Sequence, residues 1–541
     1  MLRVALRTNV WTSVGFAALA AILLAFLAAT YAALGTDRAA AGRDLEAIGP
    51  AFSFILPLPE RLDTNAGYVA WFGYGQLSLT FAFWGVLAGT YVARGEEERG
   101  LADMWLSAGT PRWRLLVAHV GAFVVGVSAA LAAGGLACLA VAWATGEPIA
   151  VGALAGQSAG ILALTVAFFS LGLVVGQLVP TRRGALGIGA LVLVALFLTN
   201  SLSRQWDALS GARWISPFAY YDRVHGLVPG LAFGTASLVV LVLIAIGGIS
   251  LALLTFLSRD IGATLGRRGM PGAPRRLPAT NPLLRSQILA TLYDQRVGLF
   301  IWCLAMAWQS FFVTRMAGPF LRALALVEPG DPTGAQLRVV SGVGHGTPFE
   351  GFVGFEWFGG LAGLALAGFA ITQVARWSGD DTEGRLEALL SAPMPRTRVV
   401  IERALALGVG AVLLIAASHA GITAGAIVND SVLDGGRLAV AGLMLLPIAA
   451  VFGGIGAAAS AWRPRVTVAL LAAIALVSFM IPFTVPVIHG PEWLNHLSVF
   501  DLYGTPLADG FTPWRFGLLG GVSLLGFAVA LFAMLRRDIG R

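Results

Sequence analysis

The sequence predicts an all-α integral membrane protein made of two tandem six-helix halves, twelve transmembrane helices in all. Three observations carry this. Mean hydropathy is +0.79 over 541 residues, long apolar runs recur along the chain, and the chain repeats itself at an offset of 278 to 284 positions. Each run is long enough to cross a hydrocarbon core of about 30 Å as a helix. Backbone groups in lipid must be hydrogen-bonded within the protein, so the choice lies between helices and a closed barrel. Continuous Leu/Ala/Val/Gly runs are not the alternating strands of about ten residues that a barrel needs.

Taken in order, the expected spans of the first half are 10–34, 67–92, 115–142, 151–178, 185–200 and 231–257. Arg3 and Arg7 precede the first, but a run of about 25 residues exceeds the 7 to 15 of a signal-peptide core, so it is expected to remain as a helix. The second-half spans are 297–317, 354–375, 399–428, 437–461, 466–488 and 514–535. Between the halves, "GRRGMPGAPRRLPATNP" (266–282) is rich in Gly, Pro and Arg and reads as a linker. The expected organisation is a first half at 1–262, a cytoplasmic linker at 263–283 and a second half at 284–541.

Charge sets the topology. The chain has no lysine, and with the N-terminus inside, 25 of the 36 arginines fall on cytoplasmic segments. Acidic residues run the other way, 12 inside and 17 outside, so the inside carries +13, the outside −6, and the sum is the net +7. The expectation is a multi-pass plasma-membrane protein with both termini cytoplasmic and residues 35–66 and 318–353 outside. In a chain this apolar the positive excess serves topology, not nucleic-acid binding.

The repeat is carried by separated matches. "ERGLADMWLSAGTPRWR" (98–114) aligns with "TEGRLEALLSAPMPRTR" (382–398), offset 284, and "SRDIG" (258–262) with "RRDIG" (536–540), offset 278. Leu2-Arg3 and Val14-Gly15 match Leu284-Arg285 and Val297-Gly298 at offsets of 282 and 283. Six spans per half is an even number, so the halves share one orientation about a pseudo-two-fold axis along the membrane normal.

Both charged copies occupy the loop between the second and third spans, where a tight turn would have reversed the chain. Ala102, Trp105 and Leu106, and likewise Leu386, Leu389 and Leu390, fall at i, i+3, i+4 on one face of a short helix. Glu96, Glu97 and Glu98, and Asp380, Asp381 and Glu383, gather at its expected start, and Pro111 or Pro395 followed by arginine ends it. A helix resting on anionic headgroups is usually basic. An acidic start points instead to a protein partner.

"EGRLEALLSAPMPRTRVVIERA" (383–404) resembles the cytoplasmic coupling helix of permease subunits of ATP-binding-cassette (ABC) transporters of the type-2 exporter class. The first copy substitutes "LADMW" for "LEALL". Within that class the chain is similar to fused twelve-span permeases of actinobacterial polyketide-antibiotic and multidrug exporters. The resemblance implies one permease working with two copies of a separate ATPase subunit, which carries ATP and Mg. It assigns coupling to Glu96, Glu97, Glu98, Gly100, Asp103, Trp105, Leu106 and Arg112, and to Asp380, Asp381, Glu383, Gly384, Leu386, Glu387, Leu389, Leu390 and Arg396. It also implies short re-entrant helices at 203–224 and 489–510, which share "[IL]-S-x-F" at 215–218 and 497–500.

No enzyme chemistry is expected of the chain itself, and no cofactor bound to it. A phosphate-binding G-x-x-x-x-G-K-[ST] loop needs a lysine, and there is none. Histidines 119, 225, 345, 419, 489 and 496 lack metal-site spacing, and Cys138 and Cys303 lie singly in expected spans. A proton-coupled transporter would place an ionisable group near mid-membrane. The spans hold almost none, although His119 and His419 keep that alternative open; a membrane scaffold or sensor that carries nothing is a third alternative and predicts no transport at all. Spans two and five and their repeats would face one another in the resembled family. Phe81, Phe83, Trp84, Phe197 and Asn200, with Phe355, Trp357, Phe479 and Met480, are then the expected cavity lining, bulky and uncharged. They imply a hydrophobic or amphipathic substrate.

Overall fold

The structure is a computed structural model that describes residues 2–32, 34, 38–53, 56–260, 262–263, 287–325, 347–382, 384–391, 395–487 and 490–536. The linker at 266–282, Glu383, the side chain of Leu389, His345, His489 and the chain after Arg536 lie outside the described residues. The chain divides into two compact units, Met1–Arg276 and Leu277–Arg541. Among the described residues all regular structure is helical.

The first unit contains α1 (Leu2–Ala32), α2 (Arg38–Ile48), α3 (Asn65–Glu98), α4 (Leu101–Ser107), α5 (Arg112–Ala144), α6 (Val151–Leu178), α7 (Arg182–Gln205), α8 (Pro217–Tyr221) and α9 (Thr235–Ser258). The centre is α6, flanked by α3, α5, α7 and α9, while α1 lies along α5. Gly85 and Gly89 set the spacing at the centre. A Cβ on Gly85 would stand 2.4 Å from the Thr165 carbonyl oxygen, and one on Gly89 2.2 Å from that of Phe169. Only hydrogen side chains allow α3 and α6 to meet backbone to backbone, the packing lipid favours because apolar burial no longer drives association. Around this seam Phe123 stacks on Phe169 with centroids 4.3 Å apart.

The second unit contains α10 (Gln287–Asp294), α11 (Arg296–Leu324), α12 (Pro348–Asp381), α13 (Arg385–Leu390), α14 (Arg396–Val428), α15 (Gly435–Trp462), α16 (Pro464–Val487), α17 (Pro506–Asp509) and α18 (Pro513–Arg536). Here α15 is central, flanked by α12, α14, α16 and α18. Helix lengths recur between the units: α5 and α14 have 33 residues, α6 and α15 have 28, α7 and α16 have 24, and α9 and α18 have 24. The starts recur too. Pro111 and Pro395 stand extended before α5 and α14, and Thr64 and Thr347 cap α3 and α12 through their hydroxyls.

Among the described residues eleven helices are long and apolar enough to cross a membrane, against the twelve expected. The expected span without a counterpart is the eleventh, 466–488, which falls on α16, whose apolar stretch Val466–Pro482 is shorter. The second and eighth spans also run further than expected, to Glu98 and Asp381. Within α3, a π-helical segment at Tyr91–Gly95 carries the helix through the residues expected to begin the loop.

Candidate functional site

The short helix α4 is set off by two left-handed glycines, Gly100 at φ +69° before it and Gly109 at φ +81° after it. A side chain at either would be strained. The corresponding turn into α13 is made by Gly384 at φ +72°. Ala102 is buried against Leu115 of α5 and Phe256 of α9, with Trp105 packed on the cluster. In the second unit Leu386 is buried against Val399, Val400, Ala530 and Met534, with Leu390 packed on it. Ala102, Leu115 and Phe256 correspond to Leu386, Val399 and Met534 through the sequence repeat. Each short helix thus sits in the same seat between its own third and sixth long helices.

The seat decides which face looks outward. Of the apolar faces, Ala102 and Leu386 are taken up inside their own units, at 2% and 3% exposure. Outward stand Asp103, Ser107 and Met104, the last 55% exposed, and on α13 Arg385 and Glu387. Leu106 is half-buried.

The acidic cluster sits differently from the sequence expectation. Glu96, Glu97 and Glu98 end α3 and do not start α4, so their charges meet the unfavourable end of a helix dipole and need cationic partners. They have them. Glu96 Oε1 lies 2.7 Å from His119 Nε2, both side chains buried. His119 Nδ1 stands 2.8 Å from the Leu115 carbonyl oxygen. A carbonyl only accepts, so Nδ1 carries a hydrogen, and the Nε2–carboxylate contact holds a second proton between its two partners. Glu97 pairs with Arg94 at 2.9 Å and with Arg259. Arg94 and Arg259 donate to the Ala263 carbonyl at 2.8 and 2.9 Å, and Arg259 Nε donates to Gln177 Oε1 at 2.5 Å. Glu98 Oε1 accepts the Arg182 backbone N–H at 2.6 Å, and Arg112 donates to the Arg259 carbonyl at 2.8 Å. The result is a lock that ties the ends of α3, α5, α6, α7 and α9 together beside α4.

The second unit repeats a part of it. Asp380 lies 3.2 Å from Arg403 and 3.4 Å from Arg385, and Asp380 and Arg403 stand 284 positions after Glu96 and His119. Asp381 borders a crevice with Arg403, Ser460 and Met534. Arg396 donates to the Met534 carbonyl at 3.4 Å.

The expected cavity lining separates into two groups. Phe81 and Trp84 are buried in the first unit, where Trp84 stacks on Phe16 at 4.2 Å and Phe81 meets both rings edge-on. Trp357 is buried, its indole N–H donating to Ser418 Oγ at 2.8 Å. These three are packing residues of their own units: spacing along a helix places them on one face, and that face turned inward. Phe83 and Phe355 are exposed. Phe197 and Phe479 pack edge-on against Phe218 and Phe500, and Met480 is half-buried beside Phe479. Asn200 is buried and donates to Asp222 Oδ2 at 2.9 Å.

The family model described as "Multidrug efflux system permease Rv1217c, C-terminal domain" matches residues 60–257 and 284–534, most of the chain. The chain belongs to this family of multidrug efflux permeases. No curated protein it was compared with matches it.

In this multidrug efflux permease the matched stretches include both seats and both short helices. Sequence reasoning did not find Arg94, Gln177, Arg259 and Arg403 as partners of the acidic cluster. Arg259 lies in the repeated "S/R-R-D-I-G", and Arg94 stands three residues before Glu97, so a signal existed for two of them. The two segments expected to be re-entrant, 203–224 and 489–510, also have a shared framework. Ser216 and Ser498 accept the N–H of Phe218 and Phe500 at 3.3 and 3.2 Å. Tyr221 donates to the Tyr74 carbonyl at 3.2 Å and Tyr503 to that of Ala441 at 3.0 Å. Burial pushes both phenols well above their ordinary range, which keeps them donors.

Proposed function

We propose that this permease is the membrane subunit of an ATP-driven exporter of the ABC type-2 class. On this reading it lies in the plasma membrane with both termini cytoplasmic, as twelve spans in halves 1–262 and 284–541 joined by the linker 263–283. Two copies of a separate ATPase subunit bind ATP and Mg and dock on α4 and α13. A hydrophobic or amphipathic, drug-like compound is carried out by alternating access, with exposed aromatics such as Phe83 and Phe355 among its contacts.

The observation that carries this is the pair of equivalent seats. A loop that only reversed the chain would need no helix, no left-handed glycine before it and no socket built from the third and sixth long helices. With Leu386 and Ala102 held inside, α4 and α13 are fixed to the permease through their inner faces. Asp103, Met104 and Ser107, and Arg385 and Glu387, are left for the partner. A push on that outer face is delivered to two long helices at once. Only contacts that differ between ATP-bound and empty partner shift the permease between states.

The test is co-expression with the candidate ATPase, reading substrate-stimulated ATP hydrolysis and export together. Met104→Glu combined with Glu387→Arg should abolish both while leaving membrane insertion intact. Unchanged activity would reduce the two helices to structural turns.

One observation supports a second reading, proton-coupled export without an ATPase. Glu356 lies in the π-helical stretch Gly354–Leu361 of α12 and has no ion-pair partner among the described residues. An unpaired carboxylate within a span is suited to take up and release a proton. Export by the permease alone in vesicles with an imposed proton gradient, lost in Glu356→Gln, would favour it.

A further inference from the structure

At the end of α3, α6 and α7 remote from α4, the first unit has a half-open cavity of about 250 Å³. Trp71, Ala219 and Tyr221 line it together with Arg204, Arg213 and Arg223. Its charges do not cancel. Glu60 is matched by His225, 3.0 Å away, and Asp222 by Asn200 at 2.9 Å and Arg204 at 3.8 Å. Arg213 and Arg223 have no carboxylate partner among the described residues. They flank Trp214, their guanidinium carbons 4.8 and 4.2 Å from its ring centroid. Such stacking orients a guanidinium without using its hydrogen-bonding edge. The Arg204 side chain is 9% exposed and its Nε faces Asp222 Oδ2 at 3.8 Å, too far for a hydrogen bond, while the Arg213 Nε is buried with no acceptor among the described residues. Buried donors without acceptors are uncommon in folded proteins.

The internal repeat supplies a control. The second unit keeps the framework, with Ser498, Phe500 and Tyr503 in place of Ser216, Phe218 and Tyr221, an offset of 282. At the same offset Arg204, Arg213, Asp222 and Arg223 become Pro486, Asn495, Gly504 and Thr505. The re-entrant element therefore folds without these charges, and their presence in one unit only calls for a ligand.

We propose that this cavity binds the anionic head of an amphipathic molecule. Arg213 and Arg223 receive the carboxylate, sulfonate or phosphate, Arg204 Nε supplies a further donor, and the body of the ligand lies against Trp71. This goes beyond the exporter reading and does not depend on it.

The test uses the full chain in phosphatidylcholine nanodiscs, without ATPase, dialysed against labelled 2-naphthoate, with empty nanodiscs subtracted. Saturable binding is expected, weaker by about tenfold or more for the uncharged 2-naphthamide and for the double variant Arg213→Gln/Arg223→Gln. Arg213→Lys/Arg223→Lys, which keeps the charge, should retain part of the affinity. Equal binding of the amide to the unaltered protein, unchanged binding by the Gln variant, or no saturable binding of naphthoate would each overturn the site, and the first and last need no variant to fold. Adding phosphatidylglycerol to the nanodisc separates the sources: displacement assigns the site to a lipid head group, persistence to a free amphiphile. Failure here leaves the ATPase docking reading untouched, because no ATPase takes part.

Discussion

His119 Nε2 lies 2.7 Å from Glu96 Oε1, buried under α4, at the place where the second unit pairs Arg403 with Asp380 at 3.2 Å. One architecture thus uses a titratable cation in one unit and a permanent one in the other. Either cation answers the same need, a counter-charge for a carboxylate at the wrong end of a helix dipole.

His119→Arg should therefore be tolerated, with export and thermal stability near those of the unaltered permease. His119→Leu, which leaves Glu96 buried without its partner, should cost about 3 kcal/mol. Thermal unfolding in detergent measures both. If the Arg variant proves as unstable as the Leu variant, the equivalence of the two ion pairs is wrong.

Glu97 serves two guanidiniums, and its side chain is 5% exposed beside Arg94 at 2% and Arg259 at 4%. Removing its charge leaves two buried cations facing each other. Glu97→Gln should thus destabilise by roughly 3 to 5 kcal/mol, more than Glu98→Gln, whose carboxylate is exposed and accepts one backbone N–H. Equal stability losses at 97 and 98 would rule out the shared lock.

The seats predict coupled packing. Ala102→Leu places the residue of the second unit into the socket of the first and should overpack against Phe256, costing about 1 to 3 kcal/mol. Adding Phe256→Met, which installs the partner found at 534, should recover a substantial part. Strict additivity of the two changes in a double-mutant cycle would contradict the correspondence.

Topology has a direct check within the second unit. Val432, 93% exposed, lies past one end of α14, and Glu387 stands on the short helix before its other end. In a background with Cys138→Ala and Cys303→Ala, Val432→Cys should react with an impermeant thiol reagent added outside intact cells. Glu387→Cys should react only after the cells are opened. Labelling of both from outside would invert or void the proposed orientation.

Much of the architecture was legible because it rests on composition and repetition. Apolar runs locate the long helices, and the pairs "LSA" and Pro-Arg locate both short ones. The interior of the site was harder. Glu96 to Glu98 read as the start of a helix because nothing local shows that α3 continues through Tyr91–Gly95 to reach them. Leu386 read as a docking residue because an apolar face six residues long fits its own unit as well as another protein. The cavity at Arg213 went unseen because Arg204 and Asp222 meet only after the chain between them has folded back. Phe81 and Trp84 show the same limit: periodicity fixes which residues share a face, and not what that face meets.

The contact of Gly85 and Gly89 with the backbone of α6 has a mechanical corollary. A seam without side chains has no clearance for sliding, since a shift of one residue along it would drive a larger neighbour such as Val86 into the opposing carbonyls. Helices α3 and α6 must therefore tilt as a single strut, about 50 Å long from the 34 residues of α3. Its near end carries Gly100 and the acidic lock, and its far end carries Trp71 and Gln157 at the rim of the arginine-lined cavity. On the exporter reading, leverage at one end would then be felt as a change of aperture at the other, with no relay of side-chain rearrangements in between.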